Sequence, residues 1–421
     1  MSTPSEKLST YYRHAAAVTK FFRFIVLIGL VIYAVFCIGY FKDTLTSDNL
    51  RYLLKYLDLS TFDNTPSEAD ITFDTSDGSL YTLLGNDLAV IGKKGIELYD
   101  FAGNKLYSYK ETLVAPAFSN SGKYVLLYDT VGKELSIYDA VSMVLKKSFE
   151  YNVRAAYIND LGYFAVVNSE KTYRSGVLVF DSVGNELFRW MSPDKYLTGV
   201  ALNANASAVV CTAVSNKDGA FCTELLCYNT TTGALLSSAE LLDTLALSVG
   251  FASNDSAVYV LSDHGLHCFD KALNAIGVSS YNPENARFFR VFDDCLLIAE
   301  SNNLSGSSMT VRAYGYDASQ LFEIKSEKKV LDAAYRDRTL YLLSADQLLV
   351  YDHGTEREEL TCLASLPLEH QYRALCVDDY ERYVLVGAKN ASRGSLAVLL
   401  QKELAEQNAT PSAHELKEDT P

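Results

Sequence analysis

Tryptophan and paired cysteines are scarce in this chain of 421 residues. One Trp stands against 29 Tyr, and the eight Cys are scattered, most of them inside apolar runs such as VVCTAV and ALCV. Small extracellular proteins held together by disulfides show paired cysteine spacings instead. The pattern argues against a disulfide scaffold, and we interpret most of these cysteines as buried small apolar side chains.

The signatures of common enzyme classes are also missing. The chain has no G-x-S-x-G, H-E-x-x-H, Walker or G-x-G-x-x-G motif, and no D-x-[DN]-x-[DN]-G calcium loop. His264 and His267 form an H-x-x-H pair, but on a strand this spacing points the two rings to opposite faces. No cysteine cluster accompanies them, so we predict no metal site, and nothing in the chain calls for a cofactor.

Basic residues are fewer than acidic ones. The chain has 37 Lys and Arg against 52 Asp and Glu, which gives a formal net charge of −15. An acidic surface of this size disfavours nucleic acid and anionic lipid as general partners. We therefore expect a protein or a cell-envelope polymer as the partner, with no nucleic acid.

Charge is absent altogether from the segment Phe24 to Phe41, FIVLIGLVIYAVFCIGYF. At ~1.5 Å per residue, a helix of this length just spans a hydrocarbon core of ~30 Å. A cleaved signal peptide has a shorter apolar core and a small-x-small cleavage site, whereas this segment ends in bulky Tyr40 and Phe41. We predict a retained single-pass transmembrane helix over residues 21–41.

The flanking charges predict the orientation of this helix. Lys7, Arg13, Lys20 and Arg23 lie on the N-terminal side of the uncharged run against Glu6 alone, and an excess of Lys and Arg is retained in the cytoplasm. We expect a cytoplasmic tail at residues 1–20, a membrane localisation, and an extracytoplasmic C-terminal domain. Residues 42–69 read as a juxtamembrane helix, with Leu at a helical spacing, followed by a linker.

A repeat fills the chain from about residue 70 to residue 400. One half of the unit is two apolar strands around a turn, as in PAFSNSGKYVLLYD and DAAYRDRTLYLLSAD; the other half carries an aromatic residue and an acid before a turn, as in GIELYDFAGNKLYSY. The landmarks recur about every 35 to 49 residues, close to the ~40 to 45 residues of a four-stranded propeller blade. The fold class is therefore all-β, with a propeller at residues 70–400.

The number of blades follows from counting the units. Strands such as YVLLY and YFAVV are apolar throughout, as expected for sheets covered on both faces. The last unit, Arg373 to Leu400, has only three strands, and Ile71 to Asp74 can supply the fourth and close the ring. We predict eight blades, with seven as the alternative if the first unit is irregular, and a disordered polar tail at residues 401–421.

By this repeat, the region resembles the WD40-like and quinoprotein-like propeller superfamily. The overall plan resembles uncharacterised membrane-anchored propeller proteins of bacteria. The chain lacks the Gly-His and Trp-Asp signature of true WD40 repeats, and it lacks the recurrent tryptophans and adjacent cysteine pair of quinoprotein dehydrogenases. The resemblance implies a propeller fold and gives no support to a bound quinone.

Four basic residues are candidates for a ligand site. Arg154, Arg287 and Arg373 stand at or near the start of the first strand of their units, with Lys329 close to the start of another. First strands line the central channel of a propeller, so these side chains can form a cationic arc for an anionic ligand. The other interpretation is that acids on adjacent loops neutralise them.

Two functions remain open at this stage. The first is a membrane-anchored extracytoplasmic binding or scaffolding module, and the alternative is a propeller enzyme, such as an oxidoreductase or hydrolase, that uses the central funnel. Fold alone does not decide between them. No residue stands out as catalytic, so the binding module is favoured.

Overall fold

The computed structural model describes residues 19–33, 35–36, 70–73, 79–169, 172–217, 219–354 and 360–409. The chain divides into two compact units, Met1–Phe62 and Asp63–Pro421. Residues 19–33 and 35–36 of the first unit are helical, and the described residues of the second unit form 32 strands, numbered here in chain order, and one helix. The expected juxtamembrane helix and linker at residues 42–69 lie outside the described residues.

The strands form eight sheets of four antiparallel strands. The inner strands are β2 (Leu80–Leu84), β6 (Pro116–Asn120), β10 (Val153–Ile158), β14 (Tyr196–Leu202), β18 (Ala246–Phe251), β22 (Ala286–Val291), β26 (Val330–Arg336) and β30 (Ala374–Val377). The second strands are β3 (Asp87–Gly92), β7 (Val125–Asp129), β11 (Phe164–Asn168), β15 (Ala208–Lys217), β19 (Val258–Ser262), β23 (Leu296–Ser301), β27 (Thr339–Ser344) and β31 (Arg382–Val386).

The outer half of each sheet completes a blade. The third strands are β4 (Gly95–Tyr99), β8 (Glu134–Tyr138), β12 (Ser175–Phe180), β16 (Ala220–Asn229), β20 (Gly265–Phe269), β24 (Met309–Tyr314), β28 (Gln347–His353) and β32 (Asn390–Ser395). The outer strands are β5 (Lys105–Lys110), β9 (Met143–Ser148), β13 (Glu186–Ser192), β17 (Leu235–Leu242), β21 (Ala275–Ser280), β25 (Gln320–Ser326), β29 (Leu360–Pro367) and β1 (Ile71–Thr72).

The ring closes as expected from the sequence. β1 pairs with β32, with Ile71 opposite Ala391, so the start of the propeller supplies the outer strand of the last blade. The eight-bladed propeller is confirmed, and the first blade is regular rather than irregular. Blades are numbered here from β2–β5 (blade 1) to β30–β32 with β1 (blade 8).

Burial falls from the second strand of a blade towards the channel. Every residue of β7, β11, β19, β23 and β27 is buried, whereas the inner strands β6 and β22 contain no fully buried residue. Second strands are sandwiched between neighbouring blades, which explains their uninterrupted apolar sequences. The inner strands instead border the channel and leave part of their side chains accessible.

The up-and-down order of strands gives the propeller two faces. The turns of one face join inner to second strands (85–86, 121–124, 159–163, 203–207, 252–257, 292–295, 337–338, 378–381) and third to outer strands (100–104, 139–142, 181–185, 230–234, 270–274, 315–319, 354). We call this the acidic face. The connection face carries the hairpins between second and third strands (93–94, 130–133, 169, 172–174, 219, 263–264, 302–308, 345–346, 387–389) and the connections between blades (111–115, 149–152, 193–195, 243–245, 281–285, 327–329, 368–373).

The C-terminal end differs from expectation. A helix spans Leu396–Ala409, whereas the sequence suggested disorder from residue 401. Ser395 accepts a hydrogen bond from the Val398 amide at 3.4 Å, and Leu396 and Leu399 are buried in the core of blades 7 and 8. The polar composition concealed this helix because Gln, Glu and Lys are also good helix formers. Residues 410–421 lie outside the described residues.

The N-terminal helix carries its large apolar side chains in exposed positions, from Phe21 to Phe36. Considering only the residues that the structure describes, no helix is both long and apolar enough to cross a membrane. The transmembrane segment predicted over residues 21–41 therefore stays a prediction.

Candidate functional site

A β-bulge recurs near the start of the inner strands. The pairing register with the second strand shifts around Arg154, Thr198, Leu247, Arg287 and Leu331, one in each of blades 3 to 7. The residue at a β-bulge does not pair with the neighbouring strand, and its side chain points in a different direction from that of a regular strand residue. Arg154, Thr198, Leu247 and Arg287 are exposed, so the connection face presents them at the channel mouth.

The structure places all four predicted basic residues on the connection face but does not gather them into one arc. Arg287, Lys329 and Arg373 belong to the consecutive blades 6, 7 and 8, and all three are exposed. Arg154 is exposed as well, but it lies on blade 3, three blades from either end of this group. Lys329 precedes the bulge of its strand, where the sequence has Leu331.

A buried carboxylate, Asp332, joins the inner strands of these three blades through an ion pair with the half-exposed Arg290 and a hydrogen bond from Leu375. The Asp332 side chain is only 3% exposed and accepts a hydrogen bond from the Arg290 guanidinium at 2.8 Å. It also accepts hydrogen bonds from the backbone amides of Ala333, the next residue, and of Leu375, each at 2.9 Å. Arg290 lies on β22, Asp332 on β26 and Leu375 on β30. One carboxylate thus fixes three adjacent strands, and with them the basic residues at their ends. We call Arg287, Arg290, Lys329 and Arg373 the blade 6–8 rim.

The environment of Asp332 is strongly desolvating. Burial raises the pKa of Asp332 above its ordinary value, and the Arg290 guanidinium and two backbone amides counteract this only in part. Burial also raises the pKa of the nearby Cys376 thiol to about 12. Sequence reasoning missed both Arg290 and Asp332, since their pairing joins two different blades and the repeat pattern contains no signal for it.

The blade 6–8 rim is suited to holding an anion. Guanidinium and ammonium groups donate hydrogen bonds and do not act as bases near neutral pH. The Arg290 guanidinium also lies 5.3 Å from the centre of the Phe288 ring, and the adjacent Phe289 and Val291 are 37% and 41% exposed on the same strand. The rim therefore combines positive charge with a small apolar surface, an arrangement for binding rather than for proton transfer.

Hydrogen bonds between neighbouring turns run around the acidic face. The Gly85 amide donates to the Gly122 carbonyl at 2.7 Å, and Asn159 Nδ2 donates to the Asn203 carbonyl at 3.1 Å. Ser253 Oγ donates to the Asp293 carbonyl at 2.7 Å, and Arg336 pairs with the exposed Asp379. These bonds link blades 1 to 2, 3 to 4, 5 to 6 and 7 to 8, so much of the polar surface at this mouth is already engaged.

Many acids of the acidic face serve their own turns. Asp100 Oδ1 accepts from the Asn104 amide at 2.7 Å, and Asp270 Oδ1 accepts from the Asn274 amide at 2.8 Å. Hydrogen bonds from the Asn274 side chain and backbone lower the pKa of Asp270, and bonds from the Ser319 side chain and backbone do the same for Asp317. The acid of the recurrent aromatic-acid pair therefore stabilises the turn that it begins.

The charge of the molecule is divided unequally between the faces. The described turns of the acidic face contain thirteen Asp and Glu and three Lys and Arg, whereas the described loops of the connection face contain nine of each. An anionic partner is consequently repelled by one face and not by the other.

Two clefts lie away from the rim. One, of about 400 Å³, lies between blades 5 and 6 on the acidic face, beside Ser253, Asp293, Asp294 and Asp317. The other, of about 510 Å³, lies on blade 1 beside Lys93, Lys94 and Lys110. Over the described part of the chain, no group of three or more His, Cys, Asp or Glu is arranged to hold a metal ion. Neither cleft brings together a set of catalytic groups.

Comparisons with known proteins identify the family and one solved structure of similar fold. A family model described as a family of unknown function (DUF5711) matches residues 58–392. No curated protein matches the chain. Among solved structures it is similar to the C-terminal WD40 domain of Sif2, with a TM-score of 0.53 and 11% identity over 78% of this chain and 97% of that one.

Two further solved propellers are more distant. The Cps50 (Swd1) propeller domain of Myceliophteria thermophila gives a TM-score of 0.41 at 11% identity, over 78% of this chain and 99% of that one. KlHsv2 with a replaced loop gives 0.42 at 15% identity, over 62% and 80%. These two scores carry no argument, but the Sif2 domain confirms the WD40-like propeller fold. It shows the fold alone.

Proposed function

The chain belongs to the family of unknown function DUF5711, and we propose that it is a membrane-anchored binding module whose connection face recognises an anionic partner outside the cytoplasm. The observation that carries the proposal is the blade 6–8 rim. It brings together Arg287 on β22, Lys329 just before β26 and Arg373 just before β30, beside the Arg290–Asp332 pair that joins the inner strands, in a domain whose opposite face is acidic. The partner is a protein segment or an envelope polymer that bears carboxylates or phosphates.

The rim favours such a partner by its geometry as well as by its charge. The planar guanidinium groups of Arg287 and Arg373 offer paired donors that match carboxylate and phosphate oxygens. Both side chains are exposed. Arg287 Nη1 donates to the backbone carbonyls of Glu284 at 2.9 Å and Ala286 at 3.2 Å, which restrains the side chain without cancelling its charge.

The N-terminal helix supports the anchoring. All thirteen large apolar side chains described on it, from Phe21 to Phe36, are at least 41% exposed. A helix that is apolar on every side needs a nonpolar surrounding, and the uncharged sequence continues to Phe41. With basic residues preceding the helix, the propeller would lie on the extracytoplasmic side.

Binding to a polyanion tests the proposed recognition. We expect the full chain in detergent micelles to bind immobilised inorganic polyphosphate. Arg287→Glu combined with Arg373→Glu should weaken this binding about tenfold or more, because each change replaces a favourable charge with a repulsive one. Arg154→Glu, three blades away, should have a smaller effect.

A matched control separates the rim from net charge. Lys123→Glu combined with Lys271→Glu alters the formal charge by the same amount at exposed positions of the acidic face. This variant should stay within about twofold of the unmodified chain, since interactions beyond ~10 Å are screened at 0.1 M salt. If both double variants lost polyphosphate affinity equally, binding would depend on net charge, and the proposal that the rim binds the anion would be wrong.

The anchoring has an independent test. The chain should remain with membranes after alkaline carbonate extraction, and a tag placed near Glu418 should be cut by protease added to intact cells. Protection of the tag would contradict the extracytoplasmic placement. Release of the chain by carbonate would contradict the anchor, whichever result the polyanion experiment gives.

A further inference from the structure

The β-bulges of blades 3 to 7 give each inner strand the same landmark, so residues of different blades can be compared at the channel mouth. The bulged residue is arginine in blades 3 and 6, Thr198 in blade 4 and Leu247 in blade 5. Two residues earlier, blade 4 has Tyr196 and blade 5 has Leu245. Of these five blades, only blade 5 is apolar at both positions.

These apolar side chains are exposed in the folded chain. Tyr196, Leu245 and Leu247 are 55%, 37% and 53% exposed. Leu242, which ends β17 and begins the connection to blade 5, is 60% exposed. We call these four residues the blade 4–5 patch. Large apolar side chains that are left in water close to one another commonly mark a place where another molecule binds.

The connection between blades 4 and 5 is fixed by hydrogen bonds of its backbone. The Leu245 amide donates to Asp263 Oδ1 at 2.8 Å, and the Asp263 amide donates to the Leu245 carbonyl at 3.0 Å. The Thr244 carbonyl accepts a hydrogen bond from Thr223 Oγ1 at 2.6 Å. Asp243 has a φ of 51°, in the left-handed region that residues other than glycine rarely adopt. The loop thus holds the leucines in exposed positions before a partner arrives, which lowers the entropy cost of binding.

Exposed arginines lie on both sides of the blade 4–5 patch. Arg154 occupies the bulge of blade 3, and Arg287 occupies the bulge of blade 6. The guanidinium of Arg174, also on blade 3 and exposed, lies 5.1 Å from the centre of the Tyr196 ring. The carboxylate of Asp263, by contrast, accepts hydrogen bonds from its own loop. An apolar surface is therefore bordered by positive charge in the blade before it and in the blade after it.

We propose that blades 3 to 6 of the connection face bind an extended protein segment whose apolar side chains are flanked by acidic residues. The apolar side chains of the segment pack on the blade 4–5 patch, and its carboxylates pair with Arg154 and Arg287. A hydrophilic polymer leaves the leucines in water, and an anionic bilayer meets the exposed acids Asp243 and Glu284 on the same loops. The inference rests on the anion recognition proposed above and narrows the partner to a protein segment.

Three capped peptides test the inference on the full chain in phosphatidylcholine nanodiscs. The first has the sequence Asp-Asp-Leu-Gly-Leu-Gly-Leu-Asp-Asp; serine replaces leucine in the second, and asparagine replaces aspartate in the third. In fluorescence anisotropy the first peptide should bind about tenfold more tightly than either of the others, because it alone supplies both apolar and acidic contacts. Equal affinity for the first peptide and either of the others, or no binding of any peptide, overturns the inference.

Leucine variants locate the apolar contact. Leu245→Asn combined with Leu247→Asn should weaken binding of the first peptide about tenfold, because the leucine surface that the peptide buries is lost. Leu235→Asn combined with Leu236→Asn is the matched control, since these leucines are 51% and 55% exposed at the other end of β17, next to the acidic face. The control should keep peptide affinity within about twofold, and equal losses in both variants overturn the inference.

Polyphosphate binding separates this inference from the function on which it rests. It should stay within about twofold in the Leu245 and Leu247 double variant, since it is a property of the rim. Polyphosphate binding that depends on Arg287 and Arg373, together with no preference for the leucine peptide, overturns this inference alone. A chain that prefers the leucine peptide but binds no polyphosphate overturns the rim as an anion site and supports the patch.

A lipid surface is the other occupant that the experiment distinguishes. Phosphatidylglycerol vesicles that bind more tightly than the first peptide, and that lose binding in the Leu245 and Leu247 double variant, overturn the inference and assign the patch to lipid. Unfolding midpoints confirm that each variant is folded, and the comparison of the three peptides needs no variant.

Discussion

The two mouths of the channel use polar residues in different ways. On the acidic face, carboxylates accept hydrogen bonds from their own turns, as Asp100 does from Asn104, and neighbouring turns are bonded to one another. On the connection face, β-bulges turn side chains such as Arg287 outward, and a single buried carboxylate, Asp332, holds the supporting strands. The acidic face thus carries mostly carboxylates that serve its own turns, while the connection face carries acids and bases in equal number, with exposed basic side chains at its bulges.

The largest expected effect compares two Arg–Asp pairs, one at each mouth. Asp332→Ala leaves the Leu375 amide without its acceptor inside the protein, while the 43% exposed Arg290 can turn to water, so we expect a loss of about 2 kcal/mol in the free energy of unfolding. Asp379→Ala removes the exposed partner of Arg336, and the loss should be below about 1 kcal/mol. Urea unfolding of both variants measures the difference, and equal losses would contradict the special role of Asp332.

A smaller effect separates the acids within the acidic face. Asp100→Ala removes the acceptor for the Asn104 amide and side chain, which should cost about 1 to 2 kcal/mol in the free energy of unfolding. Asp160→Ala should change it by less than about 0.5 kcal/mol, because Asn159 accepts the bonds of that turn from Leu161 and Tyr163. A cost for Asp160 as large as that for Asp100 would refute the distinction.

The smallest expected effect is in the pH dependence of the free energy of unfolding. The acids of the two regions contribute to it with opposite signs. The pKa values of Asp270 and Asp317 are lowered by their turns, so they contribute stability above the unfolded value near 3.8, and this is lost as the pH falls through the lower folded values. The pKa of Asp332 is raised by burial, so protonation of this residue favours folding as the pH falls through its folded value.

Two sets of amide variants resolve these contributions. Asp332→Asn should remove a gain in stability on mild acidification, and Asp270→Asn with Asp317→Asn should reduce the loss at the acid end. Unfolding free energies measured between neutral pH and about pH 3 give both slopes. Identical profiles for the two sets would show that the two regions do not differ in this respect.

The repeat in the sequence was sufficient to predict the architecture but not the assembly of the site. Regular apolar strands gave the blade count, the strand Leu80–Leu84 and the closure through Ile71, because each is a local pattern repeated at a fixed interval. The Asp332–Arg290 pair depends on how two blades meet, about forty residues apart along the chain. The predicted blade count already separated Arg154, at the start of blade 3, from Arg373, at the start of blade 8, by three blades of the ring.

Some of the site could have been read from local chemistry. The turn Asp100 to Asn104 has the form D-x-x-G-N, which recurs at Asp181 to Asn185, and an aspartate that begins such a turn commonly bonds the backbone ahead of it. These acids could therefore have been set aside before the search for a ligand site. The basic residues at the bulges would then have stood out more clearly.

Hydrogen exchange of the full chain with and without inorganic polyphosphate tests the central claim most directly. Binding at the blade 6–8 rim predicts slower exchange of backbone amides in segments 284–291, 327–333 and 370–376, with no change in the acidic-face turns around Asp255 and Asp379. Protection of those turns, or protection spread evenly over all eight blades, would contradict a connection face built to receive an anion.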